Sequence, residues 1–265
     1  MSSASRVVRV HFGRVLVARE TCPNPAGPSL AAIVPTLDEA SQLPSLLASL
    51  RGPEWLDSAQ EIIVSDGGSA DATAALAARH GANLVTGEPG RGGQLARGAA
   101  RARSELLLFL HADARLRPGS LRAVRAAFED PELVATGMCQ RIDHPGRIFR
   151  WIERMANRRV SWGWIYGDSG LVCRREAYER VGGFRPLPIF EDLDLSRRLK
   201  RAGRVGLVSG AFLTVSSRRW EREGPVRRTI KNWCLTLAWA VGVAPERLAR
   251  FYPPHGEAKD RNVRS

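Results

Sequence analysis

A short apolar run that stops at a proline, Leu30-Ala-Ala-Ile-Val-Pro35, opens a regular alternation of strand and helix patterns. That alternation limits the possible folds more than any other feature. The helical spacing of Leu43, Leu46, Leu47 and Leu50 follows, then a second buried run, Glu61-Ile-Ile-Val64. Asp66-Gly67-Gly68-Ser69 ends that run, with Ser69 predicted to cap an Ala-rich helix over 71–80 that Gly81 closes. Asn83-Leu-Val85 reads as a third strand, and Gly90-Arg-Gly-Gly93 opens a helix predicted to reach Arg103. Leu106-Leu-Leu-Phe-Leu110 is a fourth strand and runs into His111-Ala112-Asp113. Strands that are apolar on both faces and alternate with helices predict an α/β fold with a mainly parallel sheet flanked by helices. The second half is less regular, with a strand over 133–142 and helices over 146–160, Glu191–Ala202 and 225–241.

Polar residues gather where the predicted strands end: Thr36 and Asp38, Asp66, then His111 and Asp113. In open α/β sheets ligands bind at that edge. Asp66 before two glycines can accept hydrogen bonds from a nucleoside, although the same residues also make an ordinary Asp-Gly turn. Gly90-Arg-Gly-Gly-Gln94 matches neither the dinucleotide fingerprint nor the P-loop, yet Arg91 at a helix start can pair with a diphosphate. His111 and Asp113 alternate, so both can face one ligand. A carboxylate with an imidazole suits Mg²⁺ or Mn²⁺ completed by phosphate oxygens. Glu191-Asp192-Leu-Asp194 opens a helix, where the dipole favours acids and where one carboxylate can serve as general base.

Composition narrows the class further. With 44% hydrophobic and 25% charged residues the chain is globular, and no stretch approaches the ~20 apolar residues of a membrane span. The net charge of +13 is uneven: residues 1–196 carry 24 basic and 22 acidic groups, residues 197–265 carry 16 and 5. A basic C-terminal quarter points to a polyanionic partner. Trp233, Leu235, Leu237 and Trp239 interleave with these charges, so helix 225–241 is expected either to touch an anionic membrane surface or to pack on the body or across a homodimer. Nucleic acid is not an expected partner, since no helix-turn-helix, zinc-finger or RNP motif accompanies the charge. Cys22, Cys139, Cys173 and Cys234 form no CxxC pair, and residues 1–28 lack a secretory pattern. The expected location is the cytoplasm, free or at the inner face of the membrane. Val8, Val10 and Phe12 could add an edge strand to an otherwise loose extension.

Taken in order, these segments resemble an inverting family-two glycosyltransferase of GT-A fold. Ile33-Val-Pro-Thr36 with Asp38-Glu39 resembles the family's opening strand, and Ile62-Ile-Val-Ser-Asp66-Gly-Gly-Ser69 its "VVDDGSxD" segment. His111-Ala-Asp113 stands at the DxD metal motif, with His111 in place of the first acid. Val181-Gly-Gly-Phe184 with Glu191-Asp-Leu-Asp-Leu195 resembles "GGF…EDxDL". Arg219-Trp220 is similar to the end of "(Q/R)xxRW", but Ser216 holds its first position, which argues against a polysaccharide synthase. The likeness runs over residues 30–252. It is greatest to the bacterial radical-SAM/selenodomain-associated, or arsenosugar-biosynthesis, subfamily, with "GRGRQM…AGA", "LFLHADTRLP", "YGDQGLF" and "RRWERRG" compared with Gly90–Ala99, Leu108–Pro118, Tyr166–Val172 and Arg218–Gly224.

The resemblance implies a Rossmann-like GT-A catalytic domain over 29–222, with a nucleotide half (29–115) and an acceptor half (116–222). Residues 1–28 form an N-terminal extension and 223–265 C-terminal helices and tail. It implies a nucleotide diphosphate sugar donor, UDP-linked, held by Pro35, Thr36, Asp38, Glu39, Asp66 and Gly67, with Arg91 and Gln94 near the diphosphate. His111, Ala112 and Asp113 would complete the donor site, Asp113 and His111 holding the metal. The base would be Asp192, with Glu191 and Asp194 as alternatives, and Asp168, Asp194, Arg219 and Trp220 would frame a small-molecule or lipid acceptor. Two other classes share these features. A sugar-phosphate nucleotidyltransferase would release pyrophosphate and normally carries a Gly-rich, Lys-bearing opening loop that is missing here. A non-catalytic basic nucleotide- or nucleic-acid-binding protein would show salt-sensitive oligonucleotide binding without turnover.

Overall fold

The computed structural model describes residues 15–16, 27–51 and 60–252. Nine strands form one mixed sheet: β1 (Val15–Leu16), β2 (Leu30–Thr36), β3 (Gln60–Asp66), β4 (Asn83–Thr86), β5 (Leu106–Phe109), β6 (Arg115–Leu116), β7 (Leu133–Ile142), β8 (Leu171–Arg174) and β9 (Arg204–Val215). Their order is β1-β9-β7-β8-β5-β2-β3-β4, with β6 beside β9. Most pairings are parallel; β8 runs antiparallel between β5 and β7, and β6 antiparallel to β9. The α/β class and the mainly parallel sheet expected from the sequence are what the protein adopts.

Helices α1 (Leu43–Leu50) and α4 (Ser120–Ala127) cover one face of the sheet. The opposite face carries α3 (Arg91–Ala99), α5 (Arg147–Ser161), α6 (Arg175–Arg180) and α7 (Glu191–Ala202). Strand alternation divides β2 between two cores. Leu30, Ala32 and Val34 pack with the four leucines of α1, while Ala31 and Ile33 face Leu95, Leu195 and Leu199. All five are fully buried, which explains why β2 reads as a continuous apolar run. The C-terminal helices are α8 (Arg218–Glu223), α9 (Pro225–Ala240) and α10 (Pro245–Ala249). A separate core joins α9 and α10 to the body, with Leu235 and Leu248 against Ile189, Phe190 and Leu193, while Trp220 of α8 packs on Ile142, Phe149, Ile152 and Val215.

Several local expectations need correction. Ser69 does not cap α2 (Thr73–Arg79): its hydroxyl turns back to Asp66, and Asp71 Oδ1 accepts from the Thr73 N–H at 2.9 Å instead. Helix α3 ends at Ala99 and not at Arg103, since Arg101 and Ala102 turn back onto Gly98 and Ala99. The edge-strand reading of Val8, Val10 and Phe12 falls outside the described residues, although β1 does pair with β9. Among the described residues the three cysteines are free, and no helix is long and apolar enough to cross a membrane.

Candidate active site

Chain order produces the crevice. After β2, β3 and β4 are laid down side by side, the chain returns to place β5 on the other flank of β2. The C-terminal ends of β2 and β5 therefore diverge at a topological switch point. A narrow cleft opens there, lined by Pro35, Arg91, His111, Glu191 and Asp192 among others. It adjoins a cavity of about 510 Å³, and Arg91, His111 and Asp192 border both.

The loops after β2 and β3 brace one another. Asp66, 2% exposed, accepts from Thr36 Oγ1 (2.9 Å), Gly68 N (3.0 Å), Ser69 N (2.8 Å) and the Ser69 hydroxyl. Burial pushes its carboxyl up, but these bonds outweigh burial and hold it below the usual carboxylate range. All of its ~4 lone-pair positions are filled by protein donors. Asp66 therefore shapes the turn here. Asp38, with φ 53°, likewise accepts from Ala70 N at 2.8 Å. Gln94 Nε2 donates to the carbonyls of Thr36 (2.7 Å) and Ser65 (3.0 Å), and its Oε1 accepts from Gly90 N. Gln94 thus ties the ends of β2 and β3 to the loop that opens α3, and does not reach into the cleft. Gly67 lies beneath it, where a Cβ would press on the Pro89 backbone at 3.2 Å.

Arg91 stands at the start of α3, where it pairs with Glu191 and, at 3.8 Å, with Asp192. Burial alone would lower its pKa, but these two acids raise it. Glu191 and Asp192 are 1% and 5% exposed. Asp192 Oδ2 accepts from the Gly167 N–H at 2.7 Å and Oδ1 from Leu193 N at 2.7 Å. Burial, with the neighbouring Glu191 charge, pushes the Asp192 carboxyl up to about 6 against the opposing effects of Arg91 and these N–H groups. Asp194 corrects the sequence reading. It pairs with Arg198 at 2.6 Å and Arg185 at 3.4 Å and lines neither space, because the two helical steps from Asp192 turn it to the other side of the helix.

His111 and Asp113 do share the large cavity, with Ala112 buried between them. Gly167 lets His111 sit there: a Cβ on it would come within 2.4 Å of His111 Nε2. Among the described residues no group of three or more His, Cys, Asp or Glu side chains could hold a metal. One carboxylate and one imidazole fit an ion whose remaining ligands are phosphate oxygens and water. Glu39 lies within electrostatic reach; burial and the Asp113 charge raise its pKa to about 7, opposed by Arg219 and Arg218.

Asp168, Arg219 and Trp220 all line the large cavity. Asp168 accepts from Arg159 and from Gln140 Nε2, each at 3.2 Å, and Arg219 donates to the Tyr252 hydroxyl at 3.3 Å. The sequence did not flag Gln140, Gly167, Tyr166 or Arg228. Gln140 is 1% exposed, lines the cavity, and keeps a buried Oε1 with no partner among the described residues. Arg228, also buried, clamps Glu223 (2.6 Å) and Tyr252 (3.2 Å), fixing α9 over the cavity. The sequence marks the Tyr166–Val172 segment as a whole, which contains Tyr166 and Gly167 without distinguishing them.

The profile of "Glycosyl transferase family 2" matches residues 31–187, which include both strand-end loops, Arg91 and the His111–Asp113 turn. The chain belongs to glycosyl transferase family 2. As a family 2 glycosyltransferase it is similar to an uncharacterised glycosyltransferase of Mycobacterium bovis, 29% identical over 138 residues that make up 52% of this chain and 60% of that one. This chain spans 58–60% of the length of the curated relatives it matches. Two solved structures share the fold. A mannosyltransferase of Pyrobaculum calidifontis, in complex with GDP-mannose and Mn²⁺, has a TM-score of 0.65 at 20% identity, covering 87% of this chain and 70% of that one. The glucosyl-3-phosphoglycerate synthase of Mycobacterium tuberculosis, in complex with Mn²⁺, UDP and phosphoglyceric acid, has a TM-score of 0.57 at 19% identity, covering 82% and 80%.

Proposed function

We propose that this family 2 enzyme transfers a sugar from a nucleotide diphosphate donor, UDP-linked, to a hydroxyl of an amphiphilic small-molecule or lipid acceptor, with inversion and with Asp192 as the base. The carrying observation is Asp192 itself, a buried carboxylate bordering both cleft and cavity whose pKa is raised to about 6. A base with that proton affinity is ionised at neutral pH and still accepts a proton better than an ordinary carboxylate. Gly167 and Leu193 N–H groups orient it, and Arg91 keeps Glu191 engaged, which favours Asp192 over its neighbour. In a single displacement the acceptor hydroxyl gives its proton to Asp192 as its oxygen bonds the anomeric carbon, and the diphosphate leaves from the opposite side.

The donor would enter beside Pro35, with Arg91 near its diphosphate. Asp113 with His111 would hold Mg²⁺ or Mn²⁺, whose contribution when bound is to offset negative charge on the departing diphosphate. Of the two solved relatives, one carries GDP-mannose and the other UDP; the UDP assignment here rests on the sequence resemblance. That resemblance also supports the radical-SAM/selenodomain-associated subfamily. On the acceptor side, the buried and unpartnered Gln140 Oε1 can accept from an acceptor hydroxyl. Ile152, Met155, Trp162, Trp164, Trp233 and Leu237 give the cavity a long apolar wall suited to the acceptor's hydrocarbon part. A thermal-shift panel of nucleoside diphosphates and their sugars, with and without Mn²⁺, tests the reading. A ligand at 100 times its Kd should stabilise by ~2.7 kcal/mol, and a folded protein silent to the whole panel would overturn it.

A further inference from the structure

We infer that α5 and α9 form a docking surface for an anionic lipid bilayer, with the mouth of the large cavity opening onto that surface. Helix α9 has two apolar faces. Leu235 and Trp239 point inward and pack the helix on the body, Trp239 reaching the Phe190 ring at 5.8 Å. The other face is a full-length stripe of Val226, Ile230, Trp233, Leu237 and, just past the last turn, Val241. All of these are exposed, from 42% at Trp233 to 83% at Val241. Spacings of three and four residues place them on one side. On α5, Ile148 and Trp151 are also exposed, and the Trp151 ring meets that of Trp233 at 5.8 Å, joining the two stripes into one patch. An exposed apolar area of this extent marks a binding surface.

The charges around the patch decide what covers it. Arg147, one turn before Trp151, and Arg154 and Arg158 after it lie on the same side of α5 and are exposed, as is Arg227 beside the α9 stripe. Helix α9 contains no acid. The single acid of α5, Glu153, is 2% exposed and paired with Arg141 and Arg150. Among the described residues of α5 and α9, a face of tryptophans, aliphatics and arginines carries no free carboxylate and is complementary to anionic headgroups over acyl chains. A second copy meeting this face about a two-fold axis would bring the arginines together with no opposing charge, so self-association is the poorer match.

Trp233 and Leu237 belong both to the cavity wall and to this patch, exposed Trp162 and Trp164 also line the cavity, and Asp192 lines it as a buried residue. An amphiphile could pass from the lipid interface to Asp192 along one apolar wall. That consequence rests on the proposed transferase reading; the docking itself does not.

The test is flotation of the full chain with phosphatidylcholine vesicles containing phosphatidylglycerol, and with phosphatidylcholine alone. The wild type should float with the anionic vesicles and lose binding as salt rises. Ile230→Glu with Val241→Glu, which touches neither cavity nor cleft, should lower the bound fraction about tenfold, and Arg154→Glu with Arg227→Glu should do the same. Unchanged circular dichroism and melting must accompany both. A folded wild type that stays with the lipid-free fraction, or variants that float as well as wild type, would overturn the inference. A dimer dissolved by Ile230→Glu/Val241→Glu, with no flotation, would give the face to a second copy. None of these readouts requires turnover, so a failed donor screen and a failed docking surface are told apart.

Discussion

The donor-side loops and the acceptor-side cavity are built on opposite plans. At the ends of β2 and β3 the polar groups satisfy one another: Thr36, Gly68 and Ser69 converge on Asp66, and Gln94 joins the strand ends. Across the crevice, Gln140 keeps a buried oxygen unpartnered and four large, exposed apolar side chains line the cavity. The first region is braced by its own hydrogen bonds, as suits a component common to a family's donors. The second is unsatisfied on its own, as suits a surface that selects its acceptor. Asp192 sits where the two meet.

The largest expected effect breaks that junction. Asp192→Asn should lower transfer by ~10²–10⁴-fold while leaving donor-induced thermal stabilisation intact; turnover near wild type would move the base elsewhere. Arg91→Met would leave Glu191 buried beside Asp192 without its counter-charge. The fold should lose about 3 kcal/mol, read as a lower denaturant midpoint at constant m, and adding Glu191→Gln should restore much of the loss.

Asp66→Ala strands the donors that converge on it, and about 1–3 kcal/mol of stability should go with it, together with donor affinity. If the variant melts like wild type, the donor side is not the self-supporting unit described above. The pH response sharpens the contrast. Because the folded-state pKa of Asp192 is raised, turnover should fall as pH drops through about 6. Stability runs the other way: the protonated carboxyl stabilises the fold below its ordinary titration range, and that contribution is lost as pH rises through about 6. Asp192→Asn should therefore melt above wild type at alkaline pH, the difference closing in acid. The smallest effect is expected at Gln140→Leu, which removes an unpartnered buried oxygen. Stability should move by less than ~1 kcal/mol while acceptor KM rises at unchanged donor affinity. Equal losses for donor and acceptor would erase the distinction between the two sides.

Legibility in the sequence followed the same divide. The donor side was readable because β2, β3 and β5 are buried on both faces and their ends carry the polar residues of short, contiguous turns. What could not be read there was whether a side chain faces the ligand or the protein. Asp66 and Gln94 are engaged by backbone and hydroxyl partners that include ones far along the chain: the Thr36 hydroxyl, 30 residues away, donates to Asp66, and the Thr36 carbonyl, 58 residues away, accepts from Gln94. The acid trio of α7 shows the same limit. Helical spacing alone kept Glu191, Asp192 and Asp194 equivalent, and only the positions of Arg91, Gly167 and Arg198 separated them.

On the acceptor side the sequence supplied composition without arrangement. It displayed the basic quarter and the apolar residues of 225–241, but Trp233, Leu235, Leu237 and Trp239 read as one set. Packing divided them, sending Leu235 and Trp239 into a core with Phe190 and leaving Trp233 and Leu237 exposed beside α5. The sequence by itself determined the sheet, the strand-end loops and the acids from which a base would come, because these depend on periodicity and on neighbours a few residues apart. Only the tertiary structure decided which carboxylate is buried and oriented, which oxygen is left unpartnered and which face of α9 remains bare. Burial and partnership are properties of contacts between segments far apart in the chain, and no local pattern encodes them.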